Sequence, residues 1–118
     1  MVAAAGSHEI SLAEYATFGT RELSQANLRA LSGSRACLLA NHGQLATGQN
    51  IDEALKLAEL VEEQAHCYWG TLAIGGPRLL DRQQMDEVLA AFADYGQQQS
   101  RTESTADKKS DQTLRGKA

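Results

Sequence analysis

The sequence predicts one layered domain of the α/β or α+β class over residues 1–96. Short apolar segments bounded by glycine alternate with longer segments of helical periodicity. Their order along the chain is strand, strand, helix, strand, strand, helix, helix, which is typical of helices packed on a sheet. With 42% hydrophobic residues, the 118-residue chain has enough apolar mass for one core of modest size.

The first third of the chain is predicted to contain two short strands and a helix. "MVAAAG" at 1–6 is apolar and bounded by Gly6, and "YATFGT" at 15–20 is a second extended piece. Thr20 is expected to begin a helix that Gly33 ends. The apolar residues on one face of this helix are Leu23, Ala26, Ala30 and Leu31.

A hairpin is predicted next, around the stretch "LLANHGQLATG" at 38–48. "RACLLANHG" is too apolar for a half-solvated strand and indicates a buried one. "QLATG" is then its partner or a short continuation. Gly43 supplies backbone freedom for the turn between them.

Two capped helices are predicted after the hairpin. Asn50 with Glu53, and Asp81 with Gln84, have the spacing of capping boxes. The first helix is expected over 51–74 and the second up to Gly96. The predicted buried stripe of the first is Ile51, Ala54, Leu55, Ala58, Val61, Ala65, Trp69 and Leu72, with Leu57, Leu60 and Cys67 beside it; that of the second is Met85, Val88, Leu89, Phe92 and Tyr95.

Composition excludes several classes of partner and location. A net charge of −4 and a pI near 5.3 argue against nucleic acid or an anionic membrane. Cys37 and Cys67 lie apart in apolar segments, which indicates buried, reduced thiols rather than a disulfide framework. We therefore expect a cytoplasmic protein, since "MVAAAGSHEI" also lacks the features of a signal peptide. Residues 97–118 are polar, without period, and predicted to be a disordered tail.

His42 is the strongest candidate for a metal-binding or catalytic residue. Residue types alone leave its role open. A zinc site needs three or four ligands, and the chain has no H-x-H, H-E-x-x-H or C-x-x-C. A turn histidine is therefore the simpler interpretation. His8 and His66 are better explained as solvated or partly packed residues, and Tyr95 as either a packing residue or a functional phenol.

Several stretches, in their order and spacing, resemble the class II aldolase/adducin family, and its L-fuculose-phosphate aldolase branch in particular. They are "MVAAAG", "YATFGTRELS", "ACLLANHGQLATGQNIDEALKLAELVE", "YWGTLAIGGPRLLD" and "FADYG". The resemblance covers residues 1–96 and implies an α/β/α sandwich around a mainly antiparallel sheet. It also implies a homotetramer with active sites between subunits.

The resemblance implies a zinc-dependent aldehyde-lyase that cleaves a sugar phosphate to dihydroxyacetone phosphate and an aldehyde. In this family zinc acts as a Lewis acid on the enolate charge, a carboxylate moves the proton, and a tyrosine serves the aldehyde side. His42 then matches a zinc ligand, Phe18 an aromatic of the aldehyde pocket, and Tyr95 an assisting tyrosine. Asn41 stands where relatives often have histidine.

The resemblance also implies what the sequence lacks. The H-x-H ligand pair, the catalytic glutamate and the phosphate-binding loops belong to the half of the family fold that precedes these stretches. We therefore expect a C-terminal part of the fold, with an incomplete zinc site and no activity alone. Two alternatives stay open: a non-catalytic, adducin-like interaction module, and a pentulose-phosphate epimerase or dehydratase of the same fold.

Overall fold

The computed structural model of the chain describes residues 1–93. Its sheet has three strands in the order β1-β2-β3: β1 (Leu12–Ala13), β2 (Ala36–Leu39) and β3 (Gly43–Ala46). β1 runs parallel to β2, and β2 and β3 form the predicted antiparallel hairpin. Tyr95 and the expected tail lie outside the described residues.

Helices cover both faces of this sheet. Neighbouring residues of a strand point to opposite faces: Ala36 packs with Leu57 of helix α2 (Ile51–Leu72), whereas Cys37 packs with Ala26 and Ala30 of helix α1 (Arg21–Ala30). Ala36 and Cys37 are both fully buried. This α/β/α arrangement confirms the predicted fold class.

The prediction of a strand at residues 1–6 is wrong. Residues Val2–Ala5 form a 3-10 helix that ends at Gly6, whose φ is 80°. Alanine has little preference for strands, and contacts with Arg35 fix the segment beside the start of β2. The backbone N–H of Arg35 donates to the Ala5 carbonyl at 2.8 Å, and its guanidinium Nη2 donates to the Ala4 carbonyl at 2.7 Å.

The second predicted extended piece is also misplaced. β1 lies upstream of "YATFGT", where it is held against β2 by hydrogen bonds from the Leu38 N–H to the Ser11 carbonyl and from the Ala40 N–H to the Ala13 carbonyl. Residues 14–20 form an irregular loop, called the 14–20 loop below. The predicted helix start is confirmed, since the Thr20 hydroxyl accepts from the Leu23 N–H.

The capping box at the start of α2 is confirmed. The Asn50 side chain accepts from the Glu53 N–H at 2.9 Å, and the Glu53 carboxylate accepts from the Gln49 N–H at 3.1 Å. α2 ends at Leu72, two residues before the predicted end, and the N–H of Gly76 closes it by donating to the Thr71 carbonyl.

The predicted buried stripe of α2 is only partly correct. Leu57 and Val61 are buried, but Ile51 is 80% and Trp69 69% exposed, and Cys67 is exposed rather than buried. The buried residues of this helix lie in its first half, against the sheet and the 3-10 helix. Leu55 and Leu72 are also exposed. Helical periodicity identifies apolar residues but does not say which of them another element covers.

The last helix, α3, spans 82–93 within the described residues. Both hydrogen bonds of its predicted capping box form: Asp81 accepts from the Gln84 N–H, and Gln84 accepts from the Asp81 N–H. Of the predicted stripe, Met85 is buried, whereas Phe92 is 40% exposed. His8 contacts Asp86 at 2.7 Å and so joins the N-terminal loop to α3. None of the helices in residues 1–93 is long and apolar enough to cross a membrane.

Candidate functional site

His42 lies in the tight turn that joins β2 to β3. Its backbone N–H donates to the Leu39 carbonyl at 3.1 Å. Asn41 before it has a φ of 62°, and Gly43 after it a φ of 138°. Asparagine adopts the left-handed region more readily than other non-glycine residues, so the "NHG" sequence suits this turn. The turn leaves the His42 side chain exposed beyond the end of β2.

The imidazole of His42 is held by the 14–20 loop. Its Nε2 lies 3.0 Å from the Ala16 carbonyl oxygen. A carbonyl only accepts hydrogen bonds, so this contact assigns a proton to Nε2, and the neutral tautomer compatible with it has its lone pair on Nδ1. The ring of Tyr15 stacks on the imidazole, with centroids 5.6 Å apart and planes inclined by 13°.

Strand register brings these two segments together. Ala13 of β1 is opposite Leu39 of β2 in a parallel pair, so the loop after β1 and the turn after β2 emerge at the same edge of the sheet. The loop is closed at its other end by Thr20, whose hydroxyl donates to the Thr17 carbonyl at 2.6 Å while capping α1. Tyr15 and Ala16 were not predicted as site residues. The parallel pairing of two short strands is a tertiary feature, which local sequence patterns do not predict.

Of the other two predicted site residues, Phe18 lies within the described residues and Tyr95 does not. Phe18 belongs to the same 14–20 loop and is 79% exposed, so its ring is free to line a pocket formed with another surface. Tyr95 lies outside the described residues. Its assisting role and the aldehyde-pocket role of Phe18 stay predictions.

The described residues do not make a complete metal site. Among residues 1–93, no group of three or more histidine, cysteine, aspartate or glutamate side chains is placed to hold a metal ion. His42 has a feature of metal-binding histidines, a ring N–H hydrogen-bonded to a backbone carbonyl. One imidazole falls short of the three or four ligands of a zinc ion. The donor set therefore fits zinc only if further ligands come from other residues.

The remaining candidates contact residues other than His42. The rings of His66 and Trp69, both on α2, are nearly perpendicular, with centroids 5.8 Å apart. His8 faces Asp86. Burial raises the pKa of the Cys37 thiol above its ordinary value, which disfavours the reactive thiolate. Cys37 is therefore a core residue rather than a nucleophile.

Comparison with known proteins gives the family. The sequence model described as Class II Aldolase and Adducin N-terminal domain matches residues 1–69. A 5-methylthioribulose-1-phosphate/5-deoxyribulose-1-phosphate aldolase of Rhodospirillum rubrum is 50% identical over 96 residues, which are 81% of this chain and 43% of that protein. The L-fuculose phosphate aldolase of Escherichia coli K12 is 46% identical over 97 residues, 81% of this chain and 45% of that protein.

A solved structure agrees with these matches. An L-fuculose 1-phosphate aldolase superposes with a TM-score of 0.74 at 40% identity, covering 78% of this chain and 43% of that one. The chain thus spans less than half the length of the relatives that it matches. By sequence and by fold, the chain belongs to the class II aldolase and adducin family.

Proposed function

We propose that this chain contributes His42 to the metal site of a zinc-dependent aldolase that cleaves a sugar phosphate to dihydroxyacetone phosphate and an aldehyde. The observation that carries the proposal is the position of His42 at the hairpin turn, with its ring N–H held by the Ala16 carbonyl. Ligand imidazoles are oriented in this way in metal sites. Relatives named as sugar-phosphate aldolases support the reaction class.

The site is completed from outside the described residues. Further zinc ligands and the carboxylate that moves the proton are supplied by polypeptide other than residues 1–93, in an assembly that we propose to be a homotetramer. Bound there, zinc would supply Lewis-acid chemistry. From this chain, His42 acts as a ligand, Phe18 contacts the aldehyde and Tyr95 assists with its phenol. The 118-residue chain alone is inactive, and the protein works in the cytoplasm.

The relatives suggest two substrates. The YATFGT stretch favours L-fuculose 1-phosphate, the compound in the name of the matching solved structure, and the Escherichia coli relative is named for L-fuculose phosphate. The names of the Rhodospirillum rubrum relative and of a Bacillus thuringiensis relative, 41% identical over 98 residues, favour 5-deoxyribulose 1-phosphate. We propose a sugar 1-phosphate of this group as the substrate class, and a direct assay of both compounds distinguishes them.

A chimera tests the proposal. The part of the Rhodospirillum rubrum protein that precedes the matched region is joined to this chain, and zinc content and aldehyde release are measured with both sugar phosphates. We expect about one zinc per chain and aldol cleavage, both lost in His42→Ala and both retained in His66→Ala. Undiminished zinc content in the His42→Ala chimera would refute the ligand role. Turnover by the 118-residue chain alone would refute its inactivity.

One observation favours a second candidate, a non-catalytic interaction module of the adducin type. Trp69, Ile74 and Leu79 are 69%, 84% and 80% exposed, and large apolar side chains of this kind are common at protein interfaces. The same chimera separates the candidates. A well-folded chimera that neither binds zinc nor cleaves either sugar phosphate supports the module. Epimerisation or dehydration of a pentulose phosphate, measured on the same protein, would instead favour those reactions of the fold.

A further inference from the structure

The aromatic ring of Tyr15 lies outside the protein core and stacks on the imidazole of His42, the candidate metal ligand. The side chain is 62% exposed. Its ring plane is inclined by only 13° to the imidazole of His42, at a centroid distance of 5.6 Å. Offset stacking at this distance is a preferred arrangement of two aromatic rings. An exposed side chain whose ring stacks on an imidazole is better placed to orient that imidazole than to stabilise the fold.

We propose that Tyr15 is a positioning residue for His42. The stacked ring restricts rotation of the imidazole about its Cβ–Cγ bond, and this keeps Nε2 within hydrogen-bond distance of the Ala16 carbonyl. Tyr15 and Ala16 are adjacent in the 14–20 loop, so one segment supplies both constraints. The result is a single ring orientation and a single neutral tautomer, with Nδ1 bearing the lone pair.

The consequence for binding rests on the proposed function. A ligand whose orientation is fixed before the metal arrives loses less conformational entropy on binding. Partners that orient a metal-binding histidine typically contribute 10- to 100-fold in metal affinity. The aromatic ring is the required feature of Tyr15, since stacking does not use the hydroxyl. Tyr15→Phe should therefore preserve the effect, whereas Tyr15→Leu should remove it.

NMR of the 118-residue chain at pH 8, without metal or substrate, tests the positioning directly. Long-range ¹H–¹⁵N spectra identify the tautomer of each imidazole, and nuclear Overhauser effects report contact between the Tyr15 and His42 rings. We expect ring–ring contact and one Nε2–H tautomer in the unaltered chain, both retained in Tyr15→Phe. In Tyr15→Leu the His42 signals should become those of a tautomer mixture. Tyr68→Leu is the matched control, because Tyr68 is also exposed and lies on α2.

Two results would overturn the proposal. The first is the absence of any ring–ring contact in the unaltered chain, which needs no variant to fold. The second is an unchanged Nε2–H tautomer in folded Tyr15→Leu, with folding judged from the amide spectrum. Zinc affinity of the chimera gives the functional readout: about a tenfold loss in Tyr15→Leu and full recovery in Tyr15→Phe. If the chimera binds no zinc, the aldolase proposal fails while the NMR result still decides the role of Tyr15.

Discussion

Gln44 of β3 reaches across to α2 and donates a hydrogen bond from its side-chain Nε2 to the Ala58 carbonyl at 2.9 Å. This contact joins the hairpin that carries His42 to the longest helix of the described chain. The other amide atom, Oε1, is buried and has no hydrogen-bond partner within residues 1–93. Gln44 thus combines one favourable polar contact with one unsatisfied acceptor. Different substitutions can test these two effects.

Substitutions of Gln44 should separate the cost of the lost donor from the gain of removing the acceptor. Gln44→Glu keeps the shape but turns the donor into a carboxylate facing a carbonyl, beside Glu59, Glu62 and Glu63. We expect it to lower the free energy of unfolding by about 2 kcal/mol. Gln44→Met removes donor and acceptor together at similar volume and should change it by less than about 1 kcal/mol. Urea unfolding measures both, and equal losses would contradict the predicted cost of leaving a buried acceptor unpaired.

Substitution by alanine at two glycines should change the free energy of unfolding in opposite directions. A Cβ at Gly48 would lie 2.6 Å from the Ala54 backbone nitrogen and 2.7 Å from the Glu53 Cβ, so Gly48→Ala must displace the start of α2. We expect a loss of about 1–3 kcal/mol in the free energy of unfolding. Gly70 is in α2 with open space around its Cα, and Gly70→Ala should gain about 0.5–1 kcal/mol. Circular dichroism during urea unfolding checks both; a neutral Gly48→Ala would contradict the predicted clash.

The two cysteines should differ sharply in reactivity. Cys37 is fully buried and its raised pKa disfavours the thiolate, whereas Cys67 is exposed. Ellman's reagent at pH 8 should therefore label one thiol rapidly in the native chain and both in urea. Cys67→Ser should remove the rapid reaction, and Cys37→Ser should leave it. Rapid labelling of both thiols in the native chain would contradict the burial of Cys37.

The raised pKa of Cys37 also predicts a pH dependence of stability. In the folded chain the thiol holds its proton to a higher pH than in the unfolded chain, where its pKa is near the ordinary 9.0. Below that pH the two states bind the same number of protons. Above it the unfolded state binds fewer, so the free energy of unfolding falls as pH rises. Urea unfolding between pH 7 and 10.5 should show this fall, and Cys37→Ala should flatten it.

Local patterns predicted the elements whose stabilising contacts are themselves local. The capping hydrogen bonds of Asn50 with Glu53 and of Asp81 with Gln84 join residues three apart, and both form as predicted. The Thr20 cap follows the same rule. In each case the residues that decide the structure lie within one turn of helix, so their spacing in the sequence is sufficient.

The features that were missed depend on partners far along the chain. Ala4 is held by Arg35, 31 residues away, and the alanine run itself carries no signal for that contact. The Tyr15–His42 stack likewise joins residues that only the β1–β2 register brings together. His42 was identified through family resemblance, because its neighbours in sequence include no second ligand. Periodicity also could not distinguish buried Val61 from exposed Trp69, since both are apolar and lie on the same predicted stripe.

The backbone at Asn41 links the stability of the hairpin to the orientation of His42. Asn41 is the one non-glycine residue with positive φ among residues 1–93, at 62°. In Asn41→Val, a β-branched side chain in the left-handed region should cost about 1–2 kcal/mol of unfolding free energy. Because the strained turn can relax by shifting His42, the ring should also lose its bond to the Ala16 carbonyl, seen as tautomer mixing in NMR. Asn41→Gly adopts the same φ without strain and should retain both stability and tautomer. If Asn41→Val matched Asn41→Gly in both measurements, the turn would not constrain the imidazole.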